Sequence, residues 1–185
     1  MKRAPKLRLL SAFLALAMLL TLLPTAAFAE ETTTIGYTDS TTGIVYTLDP
    51  TTKTAMVTDG HSAKQTEVVI PEKVTCNNVE YEVTSIGVGA FDNCTSLAKI
   101  NIPDSVTSIG ACAFQYCTNL KSIDIPSSVN RIGRNAFSQC TSLASIDIPD
   151  SVTSIEELAF AGCTNLKSIN IPDNVTSIER YAFYK

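Results

Sequence analysis

The chain has 185 residues, of which 14 are basic and 18 acidic, for a net charge of −4. That length corresponds to about one domain. An acidic chain with no run of Lys or Arg beyond its first residues is a poor candidate for binding nucleic acid or an anionic membrane surface.

The first segment reads as a targeting signal. Lys2, Arg3, Lys6 and Arg8 precede an apolar run from Leu9 to Leu23, and Ala27-Phe28-Ala29 supplies a small-x-small cleavage site. The run is too short and too close to that site for a good membrane anchor. No Cys lies in the first 75 residues, which excludes a lipoprotein signal. Residues 1–29 are therefore expected to be cleaved, between Ala29 and Glu30. Cleavage would remove four basic residues and no acidic ones, shifting the net charge to −8. No second apolar stretch occurs downstream, so no membrane span is expected after cleavage.

Residues 30–66 carry strand and turn signals. Ile44–Leu48 and Thr54–Thr58 read as strands around a turn at Asp49–Lys53, with further turns at Asp39–Gly43 and Asp59-Gly60. This segment is expected to form a β-hairpin cap over the first coil of a solenoid, because a bare solenoid end exposes core and an open strand edge. Val68, Ile70, Pro71 and Val74 then fall on the frame of a repeat, interrupted by nine extra residues from Cys76 to Thr84. The strict alternation of Val79-Glu80-Tyr81-Glu82-Val83 after Cys76-Asn77-Asn78 reads as a hairpin.

From Ser85 onward the chain repeats every 23 residues without insertion or deletion. Ile86, Ile109, Ile132, Ile155 and Ile178 keep that spacing, as do Phe91, Phe114, Phe137, Phe160 and Phe183, each preceded by Ala. Cys94, Cys117, Cys140 and Cys163, each followed by Thr, form a third series. Leu, Ile, Pro and Val positions complete the unit. Such a unit cannot bury its own fixed apolar positions, so neighbouring coils must stack and share one core. Within the unit, Leu97-x-x-Ile100-x-Ile102 alternates like a short strand, Val106 and Ile109 suggest an extended piece on the opposite side, and Gly110–Cys117 is expected to be a helical turn. Gly87, Gly110 and Gly133 mark a corner, but Glu156 and Glu179 stand there in later coils, so no positive φ is required. The chain stops in mid-unit at Phe183-Tyr184-Lys185, as expected of a piece of a longer array, the alternative being an open end covered by a partner.

Reactive chemistry is sparse. The four ladder cysteines would lie about 4.8 Å apart between stacked coils, a distance a disulfide permits, but their side chains point the same way. Buried free thiols packing as small hydrophobes are expected, with Cys76 and Cys112 off the ladder. There is no Cys-x-x-Cys, and the single His is His61, so no metal site is expected. A Cys76/His61 nucleophile pair is conceivable, although His61 reads more simply as a surface turn residue. No nucleophile elbow, phosphate loop or paired catalytic carboxylates occur. Glu156-Glu157 reads as a solvated corner. No catalytic residue, metal or cofactor is expected.

The exposed strand positions form two rows. Asn101, Asp124, Asp147 and Asn170 make one, with Lys99, Ser122, Ser145 and Ser168 beside it. Adjacent Asp124 and Asp147 would repel mildly. Either Lys121 relieves that repulsion, or the row awaits a basic or cation-bridged partner. It holds no aromatic, which argues against stacking sugars or bases.

The pattern Cys-Thr-x-Leu-x-x-Ile-x-Ile-Pro-x-x-Val-x-x-Ile-x-x-x-Ala-Phe resembles the BspA-type leucine-rich repeats of bacterial surface proteins over roughly residues 67–185. The expected fold is a leucine-rich-repeat solenoid, mostly β with short helical turns and 23-residue coils, behind an N-terminal β-hairpin cap over residues 30–66. The resemblance implies a secreted or cell-surface, adhesin-like protein. Its ligand would be a protein, such as a host extracellular-matrix component or another surface protein, and it brings no catalytic residues. The alternative is a structural spacer or stalk of a larger surface protein. No sorting motif or wall-binding module is visible in the sequence.

Overall fold

The computed structural model describes residues 33–61 and 65–185. Its strands in chain order begin with β1 (Ile35–Thr38), β2 (Val45–Asp49), β3 (Thr54–Asp59), β4 (Glu67–Val69), β5 (Lys73–Cys76) and β6 (Val79–Ile86). Strands of two or three residues make up the rest: β7 (Lys99–Asn101), β8 (Ser108–Ile109), β9 (Ser122–Ile123), β10 (Arg131–Ile132), β11 (Ser145–Ile146), β12 (Ser154–Ile155) and β13 (Ser177–Ile178).

One face of the coil stack carries a nine-stranded sheet in the order β1-β2-β3-β6-β8-β10-β12-β13, with β5 added as the antiparallel partner of β6. The β5–β6 connection is a two-residue turn with Asn77 and Asn78 both at positive φ (51° and 62°), the conformation that suits a tight hairpin. β2 runs antiparallel to both β1 and β3, whereas β3 joins β6 in parallel with Val57 opposite Ile86. From β6 onward every pairing is parallel, with repeat-equivalent Ile residues side by side. The opposite face is less continuous: β4 pairs with β7 and β9 with β11, as two separate two-stranded ladders.

Among the described residues there is no helix, and the helical turn expected at Gly110–Cys117 is a run of reverse turns. Each full coil places two residues in the left-handed region: Cys112 and Tyr116, Asn135 and Gln139, Leu158 and Gly162, with φ between 56° and 72°. This conformation splits the amides into two sets. Ala113, Gln115 and Cys117 donate to carbonyls three residues back in the same coil, while Cys112, Phe114 and Tyr116 donate to Arg134, Ala136 and Ser138 of the next coil at 2.8–2.9 Å. A helix would direct every N–H along its own axis and leave the coils unjoined.

The core is laid down in columns. Phe91, Phe114, Phe137, Phe160 and Phe183 stack with near-parallel rings, centroids 5.3–5.5 Å apart, inside the range of favourable aromatic pairs. Beside them three of the four ladder thiols donate to the carbonyl of the preceding coil's Phe: Cys117 to Phe91, Cys140 to Phe114 and Cys163 to Phe137, all at 3.1 Å. All six cysteines are free. Cys94 departs from the expectation of four buried thiols: it lies in the first of these coils and is only partly buried. Burial pushes the Cys117 thiol up from its ordinary 9.0 to about 12 and those of Cys94 and Cys163 to about 11, and shifts Cys140 in the same direction.

Gly60 closes the ring column at its N-terminal end. Its N–H donates to the Ala90 carbonyl at 2.7 Å, as the Phe91 N–H does to Ala113 at 2.8 Å, so it holds the place of a Phe one coil earlier. A Cβ there would lie 2.0 Å from Cε1 of Phe91, so only glycine lets the ring fill this space. Gly110 and Gly133 are likewise explained by close approach, with a Cβ falling 2.7 Å from Gly87 C and 2.6 Å from Ala111 N.

Two consequences are measurable. Phe137→Ala removes a fully buried ring with neighbours on both sides and should cost about 3–5 kcal/mol in denaturant unfolding. Phe183→Ala, at a partly buried ring stacked on one side, should cost markedly less. The thiols in turn set a pH limit. Because they ionise at higher pH folded than unfolded, their contribution is complete below about pH 9 and is lost as pH rises toward 11–12. Urea titrations from pH 8 to 11 should show a decline that is shallower in a Cys117→Ala/Cys163→Ala variant. An equal decline in both proteins would remove the thiols as its cause.

Candidate binding face

The discontinuous strand face presents the candidate site. β4 and β7 bring Val69 opposite Asn101 and Glu67 opposite Lys99. β9 and β11 set Ser122 opposite Ser145 and Ile123 opposite Ile146, which carries Asp124 into line with Asp147. An isolated parallel bridge then joins Asp147 to Asn170. Asn101, Asp124, Asp147 and Asn170 are all exposed and form a row across successive coils, held from beneath by buried Ile100, Ile123 and Ile146.

The row has one member beyond those four. Val69, 61% exposed, stands at its N-terminal end. The signal was present in the sequence, because Val68 and Ile70 already lie on the repeat frame and place Val69 at the Asn101 position.

Charge is distributed unevenly over the surface. Among the described residues the ion pairs are His61–Asp59 (2.8 Å), Lys73–Glu80 (3.2 Å), Arg131–Glu156 (2.9 Å) and Arg134–Glu157 (3.5 Å). Asp124 and Asp147 belong to none of them, so Lys121 does not relieve their repulsion through a direct ion pair. Glu156 and Glu157, expected as a solvated corner, are engaged instead, and Glu156 also accepts the Arg134 backbone N–H at 2.9 Å. Such exposed pairs contribute little to stability. Their interest here is that they leave the strand-face carboxylates as free acidic groups.

The remaining sequence candidates are separate from this row. His61 Nδ1 lies 2.8 Å from Asp59 Oδ1, and the His61 backbone N–H helps hold the Asp59 carboxyl below its usual range. Cys76 sits at the end of β5 and, among the described residues, makes no hydrogen bond with His61. No group of three or more His, Cys, Asp or Glu is placed to hold a metal ion among the described residues. No helix among them is long and apolar enough to cross a membrane. Ala29 and Glu30, the expected cleavage point, lie outside the described residues.

Comparison with known proteins places this architecture. Residues 64–185 match the model of the BspA type leucine rich repeat region, in six copies. A leucine rich cell surface protein from Faecalibacterium prausnitzii A2-165 is similar at 32% identity with a TM-score of 0.65, over 81% of this chain. The chain spans 46% of that protein's length. A leucine-rich repeat protein from Bacteroides capillosus ATCC 29799 is similar at 28% identity with a TM-score of 0.57, over 80% of this chain and 97% of its own. A search of the curated proteins found no match. The 23-residue period, the stacked Phe and Cys columns and the match over two thirds of the sequence agree, and the chain belongs to the BspA-type leucine-rich repeat family.

Proposed function

We propose that this chain is exported, loses residues 1–29, and acts outside the cell or at its surface as an adhesin-like module that binds a protein rather than catalysing a reaction. Residues 30–66 serve as the cap and 67–185 as the repeat array. The contact surface is the row Asn101, Asp124, Asp147 and Asn170. The observation that supports this most is the state of the two carboxylates: exposed, aligned by strand pairing, and in no ion pair with a described residue. Adjacent like charges destabilise a sheet slightly, and the core beneath does not need them, since Asn stands in the flanking coils. A basic protein partner would offset that repulsion, and an acidic surface would speed its encounter. The Faecalibacterium relative, described as a cell surface protein, supports the location.

Two experiments test this. The exported protein should begin at Glu30 on N-terminal sequencing, and an intact Met1 in the extracellular fraction would refute cleavage. Surface plasmon resonance against a panel of extracellular-matrix proteins should show retention that weakens about fivefold or more in an Asp124→Asn/Asp147→Asn variant at low salt, with a smaller loss at high salt. The thermal midpoint of that variant should be unchanged or slightly raised. Parent protein that retains nothing would favour a spacer role, and a variant that binds like the parent would remove the strand face as the site.

A further inference from the structure

We propose that the N-terminal end of the strand face is an anchoring pocket for one arginine side chain of an extended protein segment, with Val69 as its apolar floor and Asp124 as its counter-charge. The inference rests on the strand face being a binding surface and names the contact that would fix a partner's register along it.

The pocket lies over the paired strands β4 and β7 and reaches Asp124 of the next coil, beside a break in the ladder. β7 and β9 belong to consecutive coils, yet β7 pairs only with β4 and β9 only with β11. The backbone bond at this seam, Lys121 N–H to the Ala98 carbonyl, is long at 3.4 Å, against 3.1 Å for the equivalent Ala144 to Lys121 bond one coil later. A cavity of about 260 Å³ lies on the β4–β7 side of that seam, lined by Glu67, Val68 and Val69 of β4, Lys99, Ile100 and Asn101 of β7, and Asp124 across the seam. That volume lies below the range of small-molecule sites and suits a single side chain.

Its chemistry is mixed in a way the rest of the row is not. Val69 is 61% exposed where the other coils carry Asn or Asp, so the floor is apolar at this one position. Glu67 and Lys99 stand opposite each other in the β4–β7 register and offset one another in charge, so with Asp124 these three side chains carry a net charge of −1, and none of them is in an ion pair with a described residue. A side chain that matches needs an apolar stem to cover Val69 and a cationic head to reach Asp124. Arginine supplies both: its methylenes pack on apolar surface, and its planar guanidinium meets a carboxylate through two parallel hydrogen bonds. Lysine offers a point charge without that fork. A metal ion is poorly suited, since no cluster of three ligating side chains is formed among the described residues. Asn101, between floor and carboxylate, can donate to or accept from the backbone of an extended segment lying along the row.

The test is a titration of the purified, isotope-labelled protein with the peptide acetyl-Thr-Gly-Arg-Gly-Thr-amide, followed through its backbone amide resonances. Parallel titrations use the same peptide with lysine, citrulline or norleucine in place of arginine. The arginine peptide should shift the amides of Val69, Asn101 and Asp124 saturably and leave Asn170 unmoved. Citrulline, which keeps the shape and loses the charge, should bind about fivefold or more weakly, and lysine should fall between. Asp124→Asn should weaken the arginine peptide about fivefold and leave the citrulline peptide unchanged. Val69→Ser should weaken both, and Asp147→Asn neither. All three side chains are exposed or partly so, and unchanged resonances in the distant coils would confirm that each variant is folded. Lysine binding as tightly as arginine, or Asp147→Asn matching Asp124→Asn, would show a diffuse acidic surface and overturn the pocket. So would the absence of any saturable shift at Val69. None of these results would touch the wider reading of the strand face, which is decided by the loss of matrix-protein retention in the double variant.

Discussion

No coil of this protein can complete its own hydrogen bonds. In each turn segment alternate amides point to the next coil: Cys112, Phe114 and Tyr116 to Arg134, Ala136 and Ser138, and Asn135, Phe137 and Gln139 to Glu157, Ala159 and Ala161. A buried N–H without an acceptor costs free energy comparable to a lost hydrogen bond, so each coil depends on its neighbour for backbone as much as for side-chain burial. The left-handed residues are the means by which half of the amides are turned outward. The cost is local strain at Cys112, Tyr116, Gln139 and Leu158, none of them residues that favour this region. Columns of Phe and Cys then arise from translation: with the backbone repeating at a fixed spacing, identical side chains stack on identical side chains.

The same translation produces the surface. A rigid core holds one exposed position per coil in line, so the row from Val69 to Asn170 is positioned by inward neighbours Val68, Ile100, Ile123 and Ile146, which are buried, and Ile169, which is partly so. The nine-stranded sheet on the opposite side gives continuity, and the strand face gives variation, because its ladder is broken between β7 and β9. Gly60 and β3 show how the regular part begins: β3 takes the place of a coil strand beside β6, and Gly60 occupies a phenylalanine position without its ring.

The period, the Phe and Cys columns, the hairpin at Asn77-Asn78 and the exposed row were legible in the sequence because each depends on spacing alone. The turn segment was not. Its left-handed positions are filled by Cys, Asn, Leu, Tyr, Gln and Gly, so no residue type announces the conformation, and Ala-Phe beside Cys reads as a short helix. The glycines at 87, 110 and 133 are legible as free of any need for positive φ, but their reason is the proximity of the neighbouring coil, which a linear reading does not contain. Val69 could be counted onto the row from the repeat frame, but the seam beside it escapes the sequence for a related reason. Register can be counted from the repeat, whereas a missing ladder pairing between equivalent strands has no counterpart in the residues themselves.

If inter-coil hydrogen bonding through the turns is what unites the array, the most direct measurement is native-state hydrogen exchange at those amides. The account predicts that Phe114 and Phe137 exchange only through the largest opening of the array, together with amides at the ends of the sheet strands, such as Gly110 just after β8 and Gly133 just after β10, that bond to the preceding coil. Exchange of the turn amides at the rate of an exposed loop, while Gly110 and Gly133 stay protected, would show that the sheet alone holds the coils together and would contradict it.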